Sequence, residues 1–299
     1  MPEVIECKTR EAWLAARQTG VGGSEVAAVL GLSRYEDALT VYARKVGALP
    51  ENAQSEEMEW GVILEPVVAQ QYAARTGRRV EGGGYRIYRD VERPWRLATL
   101  DREQFSFHTH GDKPGVLEVK TSRSDASTWA NAVPDEYFVQ VQHQMSVAAM
   151  TWGTICCLHH GQHLRHYDVE PHDKLQQKIA ARIEEFWQRV RDRRPPEAGP
   201  LSGEALRWLF PRESAGSIAL GADADKLLDD YDAASQALTG AKETTETIKN
   251  KLRAMLGSFE IGITPSGRRV TWKLDNGTRS YVVAEKPPAR KLYIGKGGE

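Results

Sequence analysis

The residues best suited to chemistry lie in Gly115-Val116-Leu117-Glu118-Val119-Lys120-Thr121, together with Asp101 upstream. From Val116 to Lys120 apolar positions alternate with Glu118 and Lys120, the period of a half-buried strand, so both charged side chains leave one face of a sheet. Asp101 ends the apolar run Leu97-Ala98-Thr99-Leu100, itself strand-like. If the two strands are neighbours, Asp101 and Glu118 offer hard oxygen ligands to a small divalent cation. Lys120 would then steady an attacking water or the charge that develops on a phosphate. That layout suits phosphodiester hydrolysis. Taken alone it also describes an ordinary solvated strand face.

Two other stretches carry related chemistry. Gly20-Val21-Gly22-Gly23-Ser24 precedes a helical pattern from Glu25 to Leu30, and glycines ahead of a helix let backbone amides approach a phosphate. The plainer reading is a chain turn with Ser24 as the helix cap. Glu65, between Leu64 and Pro66 in an apolar helical stretch, would need a cation or metal partner if it projects inward. His108, His110 and the pair His159-His160 stand in no recognisable triad order, and adjacent strand residues point to opposite faces, so these and His143 read as structural or exposed.

Composition narrows the class. With 299 residues, 40% hydrophobic and 27% charged, the chain is that of an ordinary globular protein, large enough for one core and an appendage. The formal net charge of −1 does not announce a nucleic-acid binder, yet it allows an enzyme with positive charge confined to one channel beside acidic ligands. Cys7, Cys156 and Cys157 cannot make the four-thiolate set of a usual iron–sulfur cluster and form no Cys-x-x-Cys pair, so buried reduced thiols are expected. No apolar run is long enough to span a membrane and no leader pattern opens the chain, which points to an intracellular, cytoplasmic protein.

The elements that must position these residues follow from periodicity. Helices are expected over Glu11–Arg17, Glu25–Leu30, Leu39–Val46, Glu56–Thr76, Glu136–Met150 and Lys174–Arg191, with Gly77 ending the fourth and Pro66 starting or kinking a piece of it. Strands are expected over Tyr85–Tyr88, Arg96–Asp101, Val116–Thr121, Trp152–Leu158 and Leu164–Val169. This is an α/β (α+β) order around a mixed sheet. The proline-rich run Pro195-Pro196-Glu197-Ala198-Gly199-Pro200 suggests a first domain over residues 1–194, a linker over 195–203 and an accessory region over 204–299. Within the latter, Leu227, Tyr231, Ala234, Leu238, Ala241, Thr245, Ile248, Leu252 and Met255 alternate in spacings of four and three, a heptad-like seam. Weak Ala234, Ala241 and Thr245 favour docking on another element over a self-standing coil. Hairpins over Ser258–Val283, with turns at Gly267 and Asn276-Gly277, and a basic tail over Lys286–Lys296 complete the chain.

Arg17-Gln18-Thr19-Gly20-Val21-Gly22-Gly23-Ser24-Glu25, Trp60-Gly61-Val62-Ile63-Leu64-Glu65-Pro66, Asp101, Leu117-Glu118-Val119-Lys120 and Gln140-Val141-Gln142-His143-Gln144-Met145 together resemble the YqaJ-type viral recombinase nucleases. These are relatives of bacteriophage lambda exonuclease in the PD-(D/E)XK nuclease superfamily. The resemblance covers roughly residues 10–190. It implies a PD-(D/E)XK core, a central mixed β-sheet flanked by helices, here extended by a C-terminal helix and β-hairpin. It also implies a Mg²⁺-dependent exonuclease, with Mn²⁺ substituting, that degrades one strand of a DNA duplex from its 5′ end and feeds a single-strand annealing protein. By the same resemblance Asp101 and Glu118 bind metal, Glu65 joins them, and Lys120 and Gln140 complete the catalytic set. Arg17 and Ser24 fall where relatives hold the terminal phosphate, and Gln144 is a further expected phosphate or DNA contact; Arg102, a departure from the family pattern beside the metal centre, would either contact DNA or weaken metal binding. The source expected is a phage or prophage in a bacterial host, acting on double-stranded DNA ends with no membrane role. Lambda exonuclease is a ring-shaped trimer, which makes a homo-oligomer one reading here, but the extra C-terminal helix leaves the oligomeric state open. The family usually has proline before the aspartate and glycine after it; Leu100 and Arg102 stand there instead. An endonuclease of the same fold and a catalytically silent DNA-end binder are the alternatives.

Overall fold

The apolar alternation around Glu118 builds the middle strand of a sheet. The computed structural model describes residues 1–50, 55–129, 132–212, 217–274 and 290–294, and the chain divides into two units, Met1–Glu213 and Ser214–Glu299. The first unit begins with β1 (Glu3–Glu6), α1 (Arg10–Arg17), α2 (Gly23–Val29), α3 (Ala38–Lys45), α4 (Glu56–Thr76), β2 (Arg79–Glu81), β3 (Arg86–Arg89) and β4 (Leu97–Ala98). It continues through β5 (Arg102–Phe105), α5 (Phe107–His110), β6 (Pro114–Ser122), α6 (Asp135–Ala148), β7 (Gly153–His159), β8 (His163–Val169), α7 (Asp173–Arg191) and α8 (Gly203–Leu209).

The main sheet has the order β2-β5-β6-β7-β8, with β6 and β7 parallel and the other neighbours antiparallel, so it is mixed. A smaller antiparallel sheet joins β1, β3 and β4. Alternation along β6 sends Val116 toward α6, where it packs with Val141, Met145, Ile155 and Cys157. The intervening Leu117 and Val119 pack with Val68, Ala69 and Tyr72 of α4, on the other face. Helices therefore flank the central sheet on both sides, the α/β arrangement expected. A third cluster joins α2, α3 and α7 and reaches Ala205 of α8.

Several expectations change in detail. Pro66 lies inside α4 without dividing it. The turn before it, Val62 and Ile63, is solvent-exposed, so water can take the carbonyl that proline leaves unbonded. The strand expected over Arg96–Asp101 is only Leu97–Ala98, and it belongs to the small sheet; the strand beside β6 is β5, whose Arg102 pairs with Leu117. The first unit runs past the proline-rich segment to Glu213, because Ala205 is fully buried in the α2–α3–α7 cluster.

Beneath the sheet a polar network ties α4 to four strands. Tyr72 Oη donates to Gln104 Oε1 at 2.6 Å, Gln104 Nε2 donates to the Val116 carbonyl and to Thr154 Oγ1 at 2.8 Å each, and Arg78 makes paired 2.7 Å bonds to Asp168. Every member is satisfied by another, the condition under which buried polar groups hold a unique arrangement.

The second unit contains α9 (Asp223–Leu256) and an antiparallel sheet of β9 (Ile261–Ile263), β10 (Arg269–Leu274) and β11 (Arg290–Ile294) in the order β11-β10-β9. Gly267 makes the expected turn between β9 and β10, at φ +80°. Asn276-Gly277 and most of the basic tail lie outside the described residues. Among the described residues no helix is long and apolar enough to cross a membrane.

Candidate active site

Strand alternation puts Glu118 and Lys120 on the face of β6 covered by α6, and α6 supplies their partners. Glu118 is 2% exposed; its Oε1 accepts from Lys120 Nζ and from Gln140 Nε2 at 2.5 Å each, and its Oε2 accepts from Gln144 Nε2 at 2.7 Å. Gln140 and Gln144 stand one helical turn apart, the spacing that lets two side chains meet one target. Gln144 also donates to the Thr99 carbonyl at 3.1 Å, while its Oε1 is buried with no hydrogen-bond partner among the described residues. Tyr137, three residues before Gln140 on α6, holds its ring centroid 5.3 Å from Lys120 Nζ.

Asp101 sits at the rim of the sheet, between β4 and β5, where its Oδ2 accepts the Val119 backbone N–H at 2.7 Å. Desolvation, the charge of Glu118 and that of Glu65 push the Asp101 carboxyl well above the usual carboxylate range, only partly offset by Lys120 and the Val119 amide. Burial works against the Lys120 ammonium, but Glu118 and Asp101 outweigh it and hold its pKa above the ordinary lysine value. Glu65, from α4, is engaged by Arg102, whose Nη1 donates both to Glu65 Oε1 and to the Asp101 carbonyl. Among the described residues no three His, Cys, Asp or Glu side chains converge as a ready-made metal site. The residues nevertheless fit a small hard cation. Two carboxylates repel one another at Asp101 and Glu118, and Mg²⁺ is commonly held by one or two carboxylates plus substrate phosphates.

The early glycine-rich turn joins this cluster. Arg17 Nη2 donates to Ser24 Oγ at 3.0 Å, and Ser24 is exposed. A methyl group on Gly23 would lie 3.1 Å from Gln144 Cγ and 3.4 Å from Gln140 Cγ, so α2 starts directly against the two glutamines that hold Glu118. Lys45 of α3, 2% exposed at its side chain, donates to Glu25 Oε1 at 2.8 Å and to the Arg17 carbonyl at 2.9 Å. Glu25 Oε2 accepts the Gly22 N–H at 2.9 Å. Burial opposes the Glu25 charge, but Lys45, Arg17 and the Gly22 amide hold its carboxyl below the usual range; burial lowers the Lys45 pKa. This buried pair fixes both ends of the turn that carries Arg17 and Ser24.

All the expected site residues thus lie in two adjoining groups: Asp101, Glu118, Lys120, Gln140 and Gln144 with the Glu65–Arg102 pair at the rim, and Arg17 with Ser24. Sequence reading did not assign Lys45, Glu25 or Tyr137. The signal for Lys45 was a lysine among apolar Leu39, Val41 and Tyr42 on one short helix. The histidines stay outside the site's chemistry: His143 is fully buried, bonded to the Leu97 carbonyl at 2.9 Å, and burial and Arg96 lower its pKa to about 4. His160 is exposed while His159 is buried. Cys156 and Cys157 are buried free thiols, each pushed up to about 12, chiefly by burial.

A mixed sheet whose central strand carries Glu118-x-Lys120, with an aspartate at its rim and helix glutamines on the glutamate, lies in the part of the chain that is similar to the YqaJ-like viral recombinase domain. Residues 12–151 match that family, a span that contains every site residue from Arg17 to Gln144. The chain is 30% identical over 184 residues to the uncharacterized protein YqaJ of Bacillus subtilis (strain 168), 60% of this chain and 56% of that protein. It therefore spans little more than half the length of that relative. A protein of African swine fever virus is 22% identical over 230 residues, 67% of this chain and 66% of that one. The alkaline exonuclease LHK-Exo of Laribacter hongkongensis shares the fold, with a TM-score of 0.51 at 21% identity over 61% of this chain and 93% of that one.

Proposed function

We propose that this protein is a Mg²⁺-dependent 5′–3′ exonuclease acting on double-stranded DNA ends, with Mn²⁺ able to substitute. In this reading it supplies single strands to an annealing protein, in the cytoplasm of a bacterial host of a phage or prophage. The observation that carries the proposal is the buried Glu118 carboxylate, fixed by Lys120, Gln140 and Gln144 beside an Asp101 whose ionisation is opposed by its surroundings. An alkaline exonuclease with the same fold supports it, as does a structure of that enzyme in complex with dAMP.

Asp101 and Glu118 would hold the cation, joined by Glu65 when Arg102 releases it. Bound there, Mg²⁺ would polarise the scissile phosphate and lower the pKa of the attacking water. Gln140 and Gln144 fix the plane of the Glu118 carboxylate, so its oxygens keep one orientation through turnover. Lys120 stays protonated at neutral pH and presents its ammonium to the oxygens on which negative charge develops. Arg17 and Ser24 give the terminal phosphate a charged donor and a hydroxyl, which would set the register of the end being cut. Arg102, at the rim of the cluster, would be a further DNA contact, whereas Gln144, expected to contact DNA, is 1% exposed and bonded to Glu118, so it positions that carboxylate instead. Hydrolysis belongs to the first unit, and the C-terminal unit serves assembly or DNA guidance.

End-labelled linear duplexes with 5′-phosphate or 5′-hydroxyl ends, digested in Mg²⁺ and in EDTA, test the reading. Mononucleotide release from the 5′ end in Mg²⁺ alone is expected, lost in Asp101→Asn and Glu118→Gln. Arg17→Ala should erase the difference between the two ends. Cleavage of closed circular duplex would make the protein an endonuclease, and end binding without cleavage would make it a silent binder.

A further inference from the structure

The long helix α9 carries an apolar seam that, among the described residues, stays open along most of its length. Leu227, Tyr231, Leu238, Ile248 and Met255 are each more than half exposed, on a stretch about 42 Å long at the helical rise. We propose that this seam pairs with the α9 of a second copy of the chain, in antiparallel orientation.

Charge distribution selects both the occupant and the direction. The first half of α9 carries Asp223, Asp225, Asp229, Asp230 and Asp232, against Lys226 alone; the second half carries Lys242, Lys249, Lys251 and Arg253, against Glu243 and Glu246. A helix with one acidic and one basic half is complementary to itself when reversed. Parallel pairing would lay the aspartate-rich halves side by side.

The seam residues agree with the reversed register. A parallel pair would stack Ala234, Ala241 and Thr245 each on its own counterpart, three poorly filled layers. In the antiparallel pair Tyr231 faces Ile248 of the second copy, Leu238 faces Ala241, Thr245 faces Ala234 and Leu252 faces Leu227. Ala241 is then covered by leucine, and only the Ala234–Thr245 layer stays thin. The flanking positions of the same register bring Asp230 opposite Lys251 of the second copy, twice by symmetry. Asp230 bonds Lys226 of its own helix at 2.6 Å, an exposed contact that can exchange for the new one. Pairing with a second α9 departs from the expectation that the small residues favour docking on another element, because the reversed register covers Ala241 with leucine.

Full-length chains carrying Cys7→Ser, to leave only the buried native cysteines, provide the test. Ala234→Cys and Thr245→Cys are introduced singly and together, and micromolar protein is treated with copper phenanthroline and run on non-reducing gels. The double variant should give an interchain dimer that reductant reverses, and neither single variant should. Leu238→Asp should abolish the cross-link. Asp230→Lys should reduce it, and Asp230→Lys with Lys251→Asp should restore it. Cross-linking of Ala234→Cys alone would mean parallel pairing and overturn the proposal. So would a double variant that stays monomeric, which would mean that the first unit or another partner covers the seam.

Discussion

Replacing Arg102 with methionine keeps the aliphatic stem and removes the charge that now occupies Glu65. The guanidinium rests against Gly83, whose φ is +103° and where a side-chain carbon would lie 2.6 Å from Arg102 Nη1, so Gly83→Ala should push the same group out of place. A hydrogen bond between charged groups contributes about 1.5–3 kcal/mol in a protected setting. The side chains here are 16% and 27% exposed, which reduces the figure to about 1–2 kcal/mol. If a cation must displace Arg102 to use Glu65, removing the arginine should tighten cation binding by about 5–30-fold. Calorimetric titration of DNA-free protein with Mn²⁺ measures this without involving turnover. Unchanged affinity in both variants would refute the reasoning and leave Glu65 with no part in holding the cation.

Three further outcomes are expected. Lys45→Met strands the buried Glu25 carboxylate and should cost about 3–5 kcal/mol in urea unfolding, with part recovered in Lys45→Met with Glu25→Gln, where both charges are gone. Because the folded-state pKa of Asp101 is raised, its contribution to the stability of the metal-free protein is full below the unfolded aspartate value and is lost as pH rises through the folded one. Thermal melts in EDTA should show that decline, Asp101→Asn should remove it, and Mg²⁺ should stabilise more strongly as pH rises. Tyr72→Phe takes from the buried Gln104 Oε1 the hydroxyl that donates to it, and from Arg78 one acceptor, and should cost about 1–3 kcal/mol by denaturant unfolding.

The sequence made the central strand legible because apolar residues and charges alternate over Val116 to Lys120, and the helices legible because their apolar faces recur at helical spacing. The strand beside it was not. β5 reads Arg-Glu-Gln-Phe, and its fully buried position is Gln104, satisfied by the Val116 carbonyl, Thr154 and Tyr72. A polar residue buried by partners distant in the chain has no periodic signature. Pro66 misled for a related reason: a proline signals a break only where its freed carbonyl lacks water, and solvent exposure is set by the fold.

Missing β5 also changes how the site is understood. Had Asp101 ended a strand lying beside β6, both carboxylates would stand on neighbouring strands of one sheet. Instead Asp101 occupies the crossing from the small sheet to the large one, held by the Val119 amide. Glu118 faces α6, while Glu65 belongs to α4 on the opposite side, and the rim between them is where the Asp101 carboxyl responds to both charges. A cation at that rim could reach ligands from both layers, which neither face of the sheet alone would allow. The same geometry explains the consequence of arginine following the aspartate: the first residue of β5 is the one placed to bridge from the sheet to α4, and a long cation there is paired with Glu65.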